Sequence, residues 1–166
     1  MLSKYLEVIA QRQEANKELI CCARQITRYV PPVSVEDRAI VVLNMFLSDS
    51  GLFCLPVLRR GKLCGLLNRH RFMEEHMIGK FGIGHSLNYY KTVETLHDDT
   101  FLQVDAETSI EQIAAKVHAR DRIRMYDDIF ITGENGYLGV VSVIDLLNAV
   151  MQNNLTLAIG ANPLSG

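Results

Sequence analysis

Residues 139–147 read Gly-Val-Val-Ser-Val-Ile-Asp-Leu-Leu, a run that joins the end of a buried strand to the beginning of a helix. Three small or apolar residues come first, and Ser142 is a residue type that commonly caps a helix. Residues 65–67, Gly-Leu-Leu, have the same strand-ending pattern 74 positions earlier. The run therefore indicates a structural unit that occurs twice.

Other segments repeat at nearly the same distance. Ser34-Val35-Glu36 recurs as Ser109-Ile110-Glu111 at an offset of 75, and Leu55-Pro56-Val57 corresponds to Ile129-Phe130-Ile131 at an offset of 74. One single-residue insertion or deletion reconciles the two offsets. Self-similarity at a fixed spacing indicates a tandem duplication.

Each copy is predicted to fold as helix, strand, strand and helix, a core of about 45 residues that is too small to bury enough apolar surface alone. Two copies packed face to face could do so. Ser34 is a plausible cap of the first helix in one copy, and Thr108 or Ser109 in the other. The helical positions are Ala39, Val42, Leu43 and Phe46, then Ile110, Ile113, Ala114 and Val117. The later helices carry Phe72, Met73, His76 and Met77, then Leu146, Leu147, Val150 and Met151.

Short apolar runs predict the strands at residues 53–58, 63–67, 129–132 and 137–141. Asn135-Gly136, between the last two runs, is a strong hairpin signal because both residue types tolerate a positive φ. Residues 1–28 have a discontinuous apolar stripe that predicts a separate leading helix, ended by Pro31-Pro32.

Composition limits the classes of function. The chain has 166 residues and a net charge of −2, so it lacks the overall positive field that attracts nucleic acid or anionic membrane. No apolar run approaches the roughly 20 residues of a membrane span, and no secretory signal is recognisable. Four cysteines without a C-x-x-C pair, and histidines without ligand spacing, argue against a metal site. We expect a cytoplasmic protein.

The run at 139–147 resembles the closing strand and helix of a CBS domain, a module named for cystathionine β-synthase and usually found in pairs. Residues 93–96, 101–104 and 108–110 look like the opening segment of that family. The resemblance covers about residues 27 to 155. It implies an α+β CBS-domain pair, two β-α-β-β-α repeats related by pseudo-two-fold symmetry, with an extra N-terminal helix. It also implies a homodimer.

Residues 161–166, Ala-Asn-Pro-Leu-Ser-Gly, resemble the opening of a GGDEF domain, the catalytic domain of diguanylate cyclases. The resemblance implies the regulatory region of a bacterial enzyme of cyclic-di-GMP signalling, with the catalytic GGDEF sequence itself lying outside these 166 residues. The expected organisation is an N-terminal helix at 1–26, a first CBS motif at 27–80, a linker at 81–90, a second CBS motif at 91–157 and the start of a connection at 158–166.

CBS pairs typically bind adenosine-type ligands between the copies, and the resemblance implies which residues of the second copy would do so. Ser142 fills the position of a phosphate-binding hydroxyl, and Asp145 that of a carboxylate for the ribose. Gly139 belongs to the same motif, and Ile129 and Phe101 are candidates for the base wall. Helix capping by Ser142 and Asp145 is the alternative, since a cap and an anion site use the same N–H groups.

The first copy departs from this pattern, because Asn68 replaces the hydroxyl and Arg71 the carboxylate. Arg69 and Arg71 could still bind a phosphate; a solvated helix start with an Asn cap is the alternative. The arginines of residues 120–124 could reach a polyphosphate, or form ion pairs in a solvated loop.

No obligatory cofactor is expected; AMP, ATP or S-adenosylmethionine is the possible regulatory ligand. The leading hypothesis is therefore a non-catalytic sensor that controls an attached GGDEF domain. The alternative is a ligand-free dimerisation scaffold for that domain. Catalysis by the chain itself is disfavoured, because no nucleophile and base pair, P-loop or H-E-x-x-H motif is present.

Overall fold

The computed structural model describes residues 19–79 and 84–160, which form two repeats of the same build. The elements of the first repeat are β1 (Val33–Ser34), α1 (Ala39–Ser48), β2 (Cys54–Arg59), β3 (Lys62–Asn68) and α2 (Arg69–Arg71), which continues as the π-helical segment Phe72–Ile78. A short helix, α3 (Gly84–Asn88), follows within the segment expected to be a linker. The elements of the second repeat are β4 (Gln103–Asp105), α4 (Ile110–His118), β5 (Ile129–Gly133), β6 (Gly136–Val141) and α5 (Val143–Gly160).

Each repeat has a three-stranded sheet, in the order β1-β2-β3 and β4-β5-β6. The first two strands of each sheet are parallel, and the second and third are antiparallel. Both hairpins carry a register shift at the same place, between Val57 and Leu58 and between Ile131 and Thr132. The predicted α+β class and the duplication of the unit are confirmed.

The two hairpin turns differ in detail. In the first, Arg60 and Gly61 both have positive φ, 50° and 77°. In the second, Gly136 has φ 98°, and Asn135 is not among the residues with positive φ. The hairpin predicted from Asn135-Gly136 is present, but only the glycine uses the left-handed region.

The helices α1 and α4 bury the faces that their periodicity predicted. Ala39, Val42 and Phe46 are fully buried, as are Ile110 and Ile113. Ser109 caps α4 by accepting a hydrogen bond from the Gln112 N–H at 3.3 Å. The prediction that Ser34 caps α1 is wrong. Ser34 lies in β1, and α1 begins after Arg38, because the parallel pairing of β1 with β2 keeps residues 33–34 extended.

The buried face of α5 differs from the prediction. Leu146 and Ala149 are buried, whereas Leu147 and Met151 are exposed. The neighbour of α5 on its buried face includes the segment around Ile20, whose N–H and C=O both bond to the Asn153 side chain, at 2.9 and 2.8 Å. Asn153 lies on the same side of α5 as Leu146 and Ala149, and Leu147 and Met151 lie on the exposed side.

The prediction of a leading helix over residues 1–28 is wrong for the part that the structure describes, residues 19–28. Residues 19–28 are extended apart from one 3₁₀ turn, Ala23–Ile26, and they pack on the second repeat. Ala23 and Arg24 donate backbone hydrogen bonds to the carbonyls of Thr108 and Ala106, at 3.0 and 2.9 Å. Because backbone groups of this segment bond to the second repeat, the segment does not need the hydrogen bonds of a helix.

The two repeats are joined by a reciprocal exchange of segments. Arg28, just before the first repeat, exchanges both backbone hydrogen bonds with Val140 of β6, each at 2.8 Å. Asp98, just before β4, exchanges the equivalent bonds with Leu66 of β3, at 2.8 and 2.9 Å. Each sheet is therefore extended by the segment that leads into the other repeat.

This exchange explains the glycine in both strand-ending motifs. A Cβ on Gly139 would lie 2.5 Å from the Arg28 carbonyl oxygen and 2.7 Å from the Thr27 methyl carbon. A Cβ on Gly65 would lie 2.8 Å from the Asp98 carbonyl oxygen. Glycine is required at both positions because the crossing segment passes directly over the strand.

The resemblance of residues 161–166 to a GGDEF opening concerns a segment outside the described residues. Within the described ranges, no helix combines the length and the apolar character needed to cross a bilayer.

Candidate ligand site

A cleft of about 770 Å³ lies between the two repeats. The first residues of α2 form one side, and the first residues of α5, with the loop before β5, form the other. The lining residues are Phe53, Asn68, Arg69, His70, Arg71, Met73, Glu74, Glu75, Ile123, Tyr126, Asp127, Asp128, Ser142, Val143 and Ile144. The duplication therefore brings two equivalent helix N-termini to one opening, and a ligand within it would touch both repeats.

Ser142 lines this cleft and caps α5. Its hydroxyl accepts a hydrogen bond from the Asp145 N–H at 3.0 Å and donates one to Asp145 Oδ2 at 2.6 Å. Asp145 is half-buried one turn along the helix and does not itself line the cleft. The two residues thus form the capping arrangement, and Ser142 also presents its side chain to the opening.

The first repeat has the same cap with different side chains. Asn68 Oδ1 accepts a hydrogen bond from the Arg71 N–H at 3.2 Å. The Asn68 amide also donates to Asp127 Oδ1 of the second repeat at 2.9 Å. Arg71 binds both oxygens of the same carboxylate, at 3.0 and 2.9 Å. The Asp127 carboxylate thus binds both Asn68 and Arg71, the residues that replace Ser142 and Asp145 of the second repeat.

This ion pair belongs to a larger network between the repeats. Arg124 donates to Asp98 Oδ2 at 2.6 Å and to the Thr100 carbonyl at 2.8 Å, and Arg71 lies 3.7 Å from Asp98. Burial alone would raise the pKa of Asp98, but the hydrogen bonds from Arg124 and Thr100 lower it below its usual value. The network fixes the loop of residues 120–127 against the first repeat.

Asp128 is one of two buried carboxyls in the lining of the cleft; Asp127 is the other. Asp128 is 2% exposed, and its Oδ2 is buried without a hydrogen-bond partner within the described residues. Burial, together with the nearby carboxylates of Asp127 and Asp145, raises its pKa to about 7, against the opposing charges of Arg28 and Arg120. A buried polar atom without a partner is uncommon in folded proteins.

The other residues proposed for the second site lie away from the cleft. Gly139 packs beneath Arg28 in β6, and Ile129 is fully buried in the core of the second repeat. Phe101 lines a separate cavity of about 270 Å³ and stacks at 5.6 Å on Phe130. The structure therefore does not bring Phe101, Ile129 and Ser142 together around one opening.

Two of the arginines singled out in the sequence, Arg69 and Arg120, donate hydrogen bonds to backbone carbonyls. Arg69 lines the cleft, but its Nη1 donates to the carbonyls of Asp49 and Leu52, at 2.9 and 3.4 Å. Arg120 lines the smaller cavity and donates from Nη1 to the Asp127 carbonyl at 2.6 Å. Its Nη2 is buried without a partner in the described part of the chain, and burial lowers the pKa of Arg120. These arginines stabilise the loops around the cleft.

Sequence reasoning missed Asp127 and Asp128 as site residues, because adjacent acids on an extended segment point apart. In the structure, Asp127 bonds to the first repeat while Asp128 lies in the cleft wall. A signal was available: at the offset of 74, these two acids correspond to Phe53 and Cys54, both uncharged. The second repeat thus has two acids at the start of a buried strand, where the first repeat has two apolar residues. Such a difference between the copies indicates a local polar function.

Comparison with known proteins agrees with this architecture. The sequence model of the CBS domain matches residues 93–152. No curated protein matches the chain in sequence.

Solved structures of CBS-domain proteins are similar over most of the chain. A CBS domain-containing protein of Bacillus anthracis is 16% identical, with a TM-score of 0.66, covering 85% of this chain and 98% of its own. A putative signal-transduction protein with CBS domains from Burkholderia ambifaria is 15% identical, with a TM-score of 0.61, covering 78% and 93%. CBSX2, solved in complex with AMP, is 15% identical, with a TM-score of 0.62, covering 80% and 98%. At these identities, the likeness establishes the fold.

Proposed function

We propose that this chain, a tandem CBS-domain protein, is a regulatory module that binds an adenine nucleotide or adenosyl ligand in the cleft between its repeats. The cleft itself carries the proposal, because Ser142 and the N-terminus of an 18-residue helix face an opening of about 770 Å³ shared by both repeats. A volume of this size suits a small organic ligand. The AMP bound in the structure of CBSX2 supports the choice of an adenine compound.

A ligand there could alter the relative placement of the repeats. It would contact α2 from one repeat and α5 from the other, so a change in cleft width changes its contacts. A ligand shifts such an equilibrium only by its difference in affinity for the two arrangements. Because the repeats also exchange segments, movement at the cleft would be transmitted to both sheets.

The output would pass through α5, which extends from the cleft to residue 160. The sequence that follows, residues 161–166, resembles the opening of a GGDEF domain. We infer that the module controls an attached diguanylate cyclase-type domain in cyclic-di-GMP signalling. The chain itself would be a non-catalytic regulator.

Calorimetric titration of the chain with AMP, ATP and S-adenosylmethionine tests ligand binding. Ser142→Ala and Ser109→Ala form a matched pair, since both serines cap a helix but only Ser142 lines the cleft. We expect at least one of the three compounds to bind below millimolar concentration, and Ser142→Ala to weaken it while Ser109→Ala does not. Absence of binding by all three compounds would remove the proposal.

The second candidate function is a ligand-free dimerisation scaffold. It is favoured by the side chains at the cleft that already satisfy each other, Ser142 with Asp145 and Asn68 with Asp127. It is also favoured by an apolar row on the exposed side of α5, formed by Ile144, Leu147, Met151 and Leu155. Sedimentation distinguishes the two: a tight dimer that Met151→Glu disrupts, and that no adenine compound affects, supports the scaffold.

A further inference from the structure

We infer that the cleft selects a phosphate-free ligand, neutral or cationic, and that Asp128 is the residue that sets this selectivity. The inference rests on the proposed function, because it assumes that the cleft binds a small adenosine-type ligand. It narrows that function to a ligand class: an adenosyl compound without net negative charge, rather than a nucleotide with free phosphates.

The basic side chains of the cleft already have partners. Among the described lining residues, Arg71 is bound to both oxygens of Asp127, and Arg69 donates to two backbone carbonyls. His70 lies 3.3 Å from Glu74 on the rim. A phosphate that enters the cleft would have to displace one of these contacts to gain a cationic partner.

The acidic side chains are not balanced in the same way. Asp127 is compensated by Arg71, but Asp128 Oδ2 has no hydrogen-bond partner within the described residues, although the side chain is almost fully buried. Four charged groups act electrostatically on Asp128, namely Arg28, Arg120, Asp127 and Asp145, and the titratable side chains of Cys54 and Tyr137 also lie within electrostatic reach of it. Burial disfavours the ionised form of Asp128, and these neighbouring charges together do not offset that effect. The surroundings therefore do not compensate the negative charge of Asp128 itself. A second anion beside it would be still less favourable.

The N-terminus of α5 does attract anions, but its effect falls off within the first turn. Asp145 lies in that turn, with its carboxylate on the Ser142 hydroxyl. The charge that would favour a phosphate is therefore partly neutralised by the protein itself. A neutral ligand, in contrast, meets no charge repulsion from Asp128, and a positively charged group would offset its charge.

The test is calorimetric titration of the chain at about pH 8, without divalent cations, with adenosine, S-adenosylmethionine, AMP and ATP. Asp128→Asn removes the charge with almost no change of shape, and Glu111→Gln, on the exposed side of α4, removes an equal charge remote from the cleft. We expect the two phosphate-free ligands to bind at least about tenfold more tightly than AMP or ATP, the order of effect of one uncompensated charge at close range. Asp128→Asn should reduce that ratio to about threefold or less, and Glu111→Gln should leave it unchanged.

A second measurement uses pH in the wild-type chain. Adenosine and its cyclic 3′,5′-phosphodiester are compared at about pH 5.5 and pH 8, because the phosphodiester keeps one negative charge throughout. We expect the preference for adenosine to shrink at the lower pH, where Asp128 is protonated.

Tighter binding of AMP or ATP than of both phosphate-free ligands would overturn the inference and leave the proposed function standing. A ratio that Asp128→Asn does not change would overturn the role of Asp128. Binding by none of the four compounds would remove the proposed function and this inference together.

Discussion

Arg71 of the first repeat forms a two-pronged ion pair with Asp127 of the second, at 3.0 and 2.9 Å, and the Asp127 side chain is 3% exposed. At the position equivalent to Arg71, the second repeat has Asp145, which bonds to its own helix cap. The two copies of one helix start have therefore diverged. One joins the repeats to each other, and the other contributes its capping serine, Ser142, to the lining of the cleft.

The Arg71–Asp127 pair predicts a large loss of stability when one partner is removed. Arg71→Ala would leave the buried Asp127 carboxylate with the Asn68 amide at 2.9 Å and the Arg124 guanidinium at 3.8 Å. We expect the free energy of unfolding to fall by about 3 kcal/mol in urea denaturation. Arg59→Ala, which breaks a half-exposed ion pair with Glu94 at 2.7 Å, is the control and should cost much less, because solvent screens an exposed pair. Equal losses in the two variants would contradict the structural role of the pair.

The exchange of segments predicts that Gly139→Ala is strongly destabilising. The added methyl would push the Arg28 carbonyl away from β6 and break the pair of backbone hydrogen bonds to Val140. We expect a loss of more than about 2 kcal/mol by thermal or urea unfolding. Gly51→Ala is the control, because Gly51 is exposed and its nearest neighbour is the mobile end of the Asp49 side chain, at 3.3 Å. A small effect at Gly139 would mean that the segment does not cross there in solution.

Asp128 predicts a pH-dependent contribution to stability. Its pKa is raised to about 7 in the folded chain against an ordinary value of 3.8, so the folded state holds the proton more tightly. Stability from this group is therefore full below about pH 4 and is lost as the pH rises to about 7. Asp128→Asn lacks this loss, so it should gain on the wild type between about pH 4.5 and pH 8 by up to about 3 kcal/mol. Urea midpoints at the two pH values measure this; a constant difference between variant and wild type would contradict the burial of an ionisable Asp128.

The duplicated unit could be read from the sequence because its determinants are local. The Gly-h-h runs (h, apolar) at residues 65–67 and 139–141, the turn residues Asn135-Gly136 and the periodicity of α1 each act within a few positions of the chain. Local signals of this kind favour the same secondary-structure element wherever the rest of the fold permits it. They place β2, β3, β5 and β6 to within a residue or two, and they identify buried positions of α1 and α4.

The features that the sequence did not predict all depend on contacts between distant residues. Residues 19–28 are extended because their hydrogen-bond partners lie some 80 to 115 positions away, at Thr108, Ala106 and Val140. On α5, the buried side includes the polar residue Asn153, whose hydrogen-bond partner Ile20 lies 133 positions away. No local pattern contains this information, since tertiary contacts override propensity.

The candidate site could be predicted only in part, because some of its residues are positioned by contacts between distant segments. Ser142 was identified by its place in a local motif, and the structure puts it at the cleft. Asp128 was not identified, because its environment is set by Arg28, Asp127 and Arg120 from three parts of the fold. Its role in ligand binding remains a proposal.

Nuclear magnetic resonance titration of the isotope-labelled chain with S-adenosylmethionine and adenosine would show whether the cleft between the repeats binds a ligand. We expect saturable shifts of the backbone amide signals at Asn68, Asp128, Ser142 and Val143, which surround the cleft on both repeats. Spectra that do not change would contradict this expectation. So would shifts confined to the smaller cavity around Phe101 and Arg120.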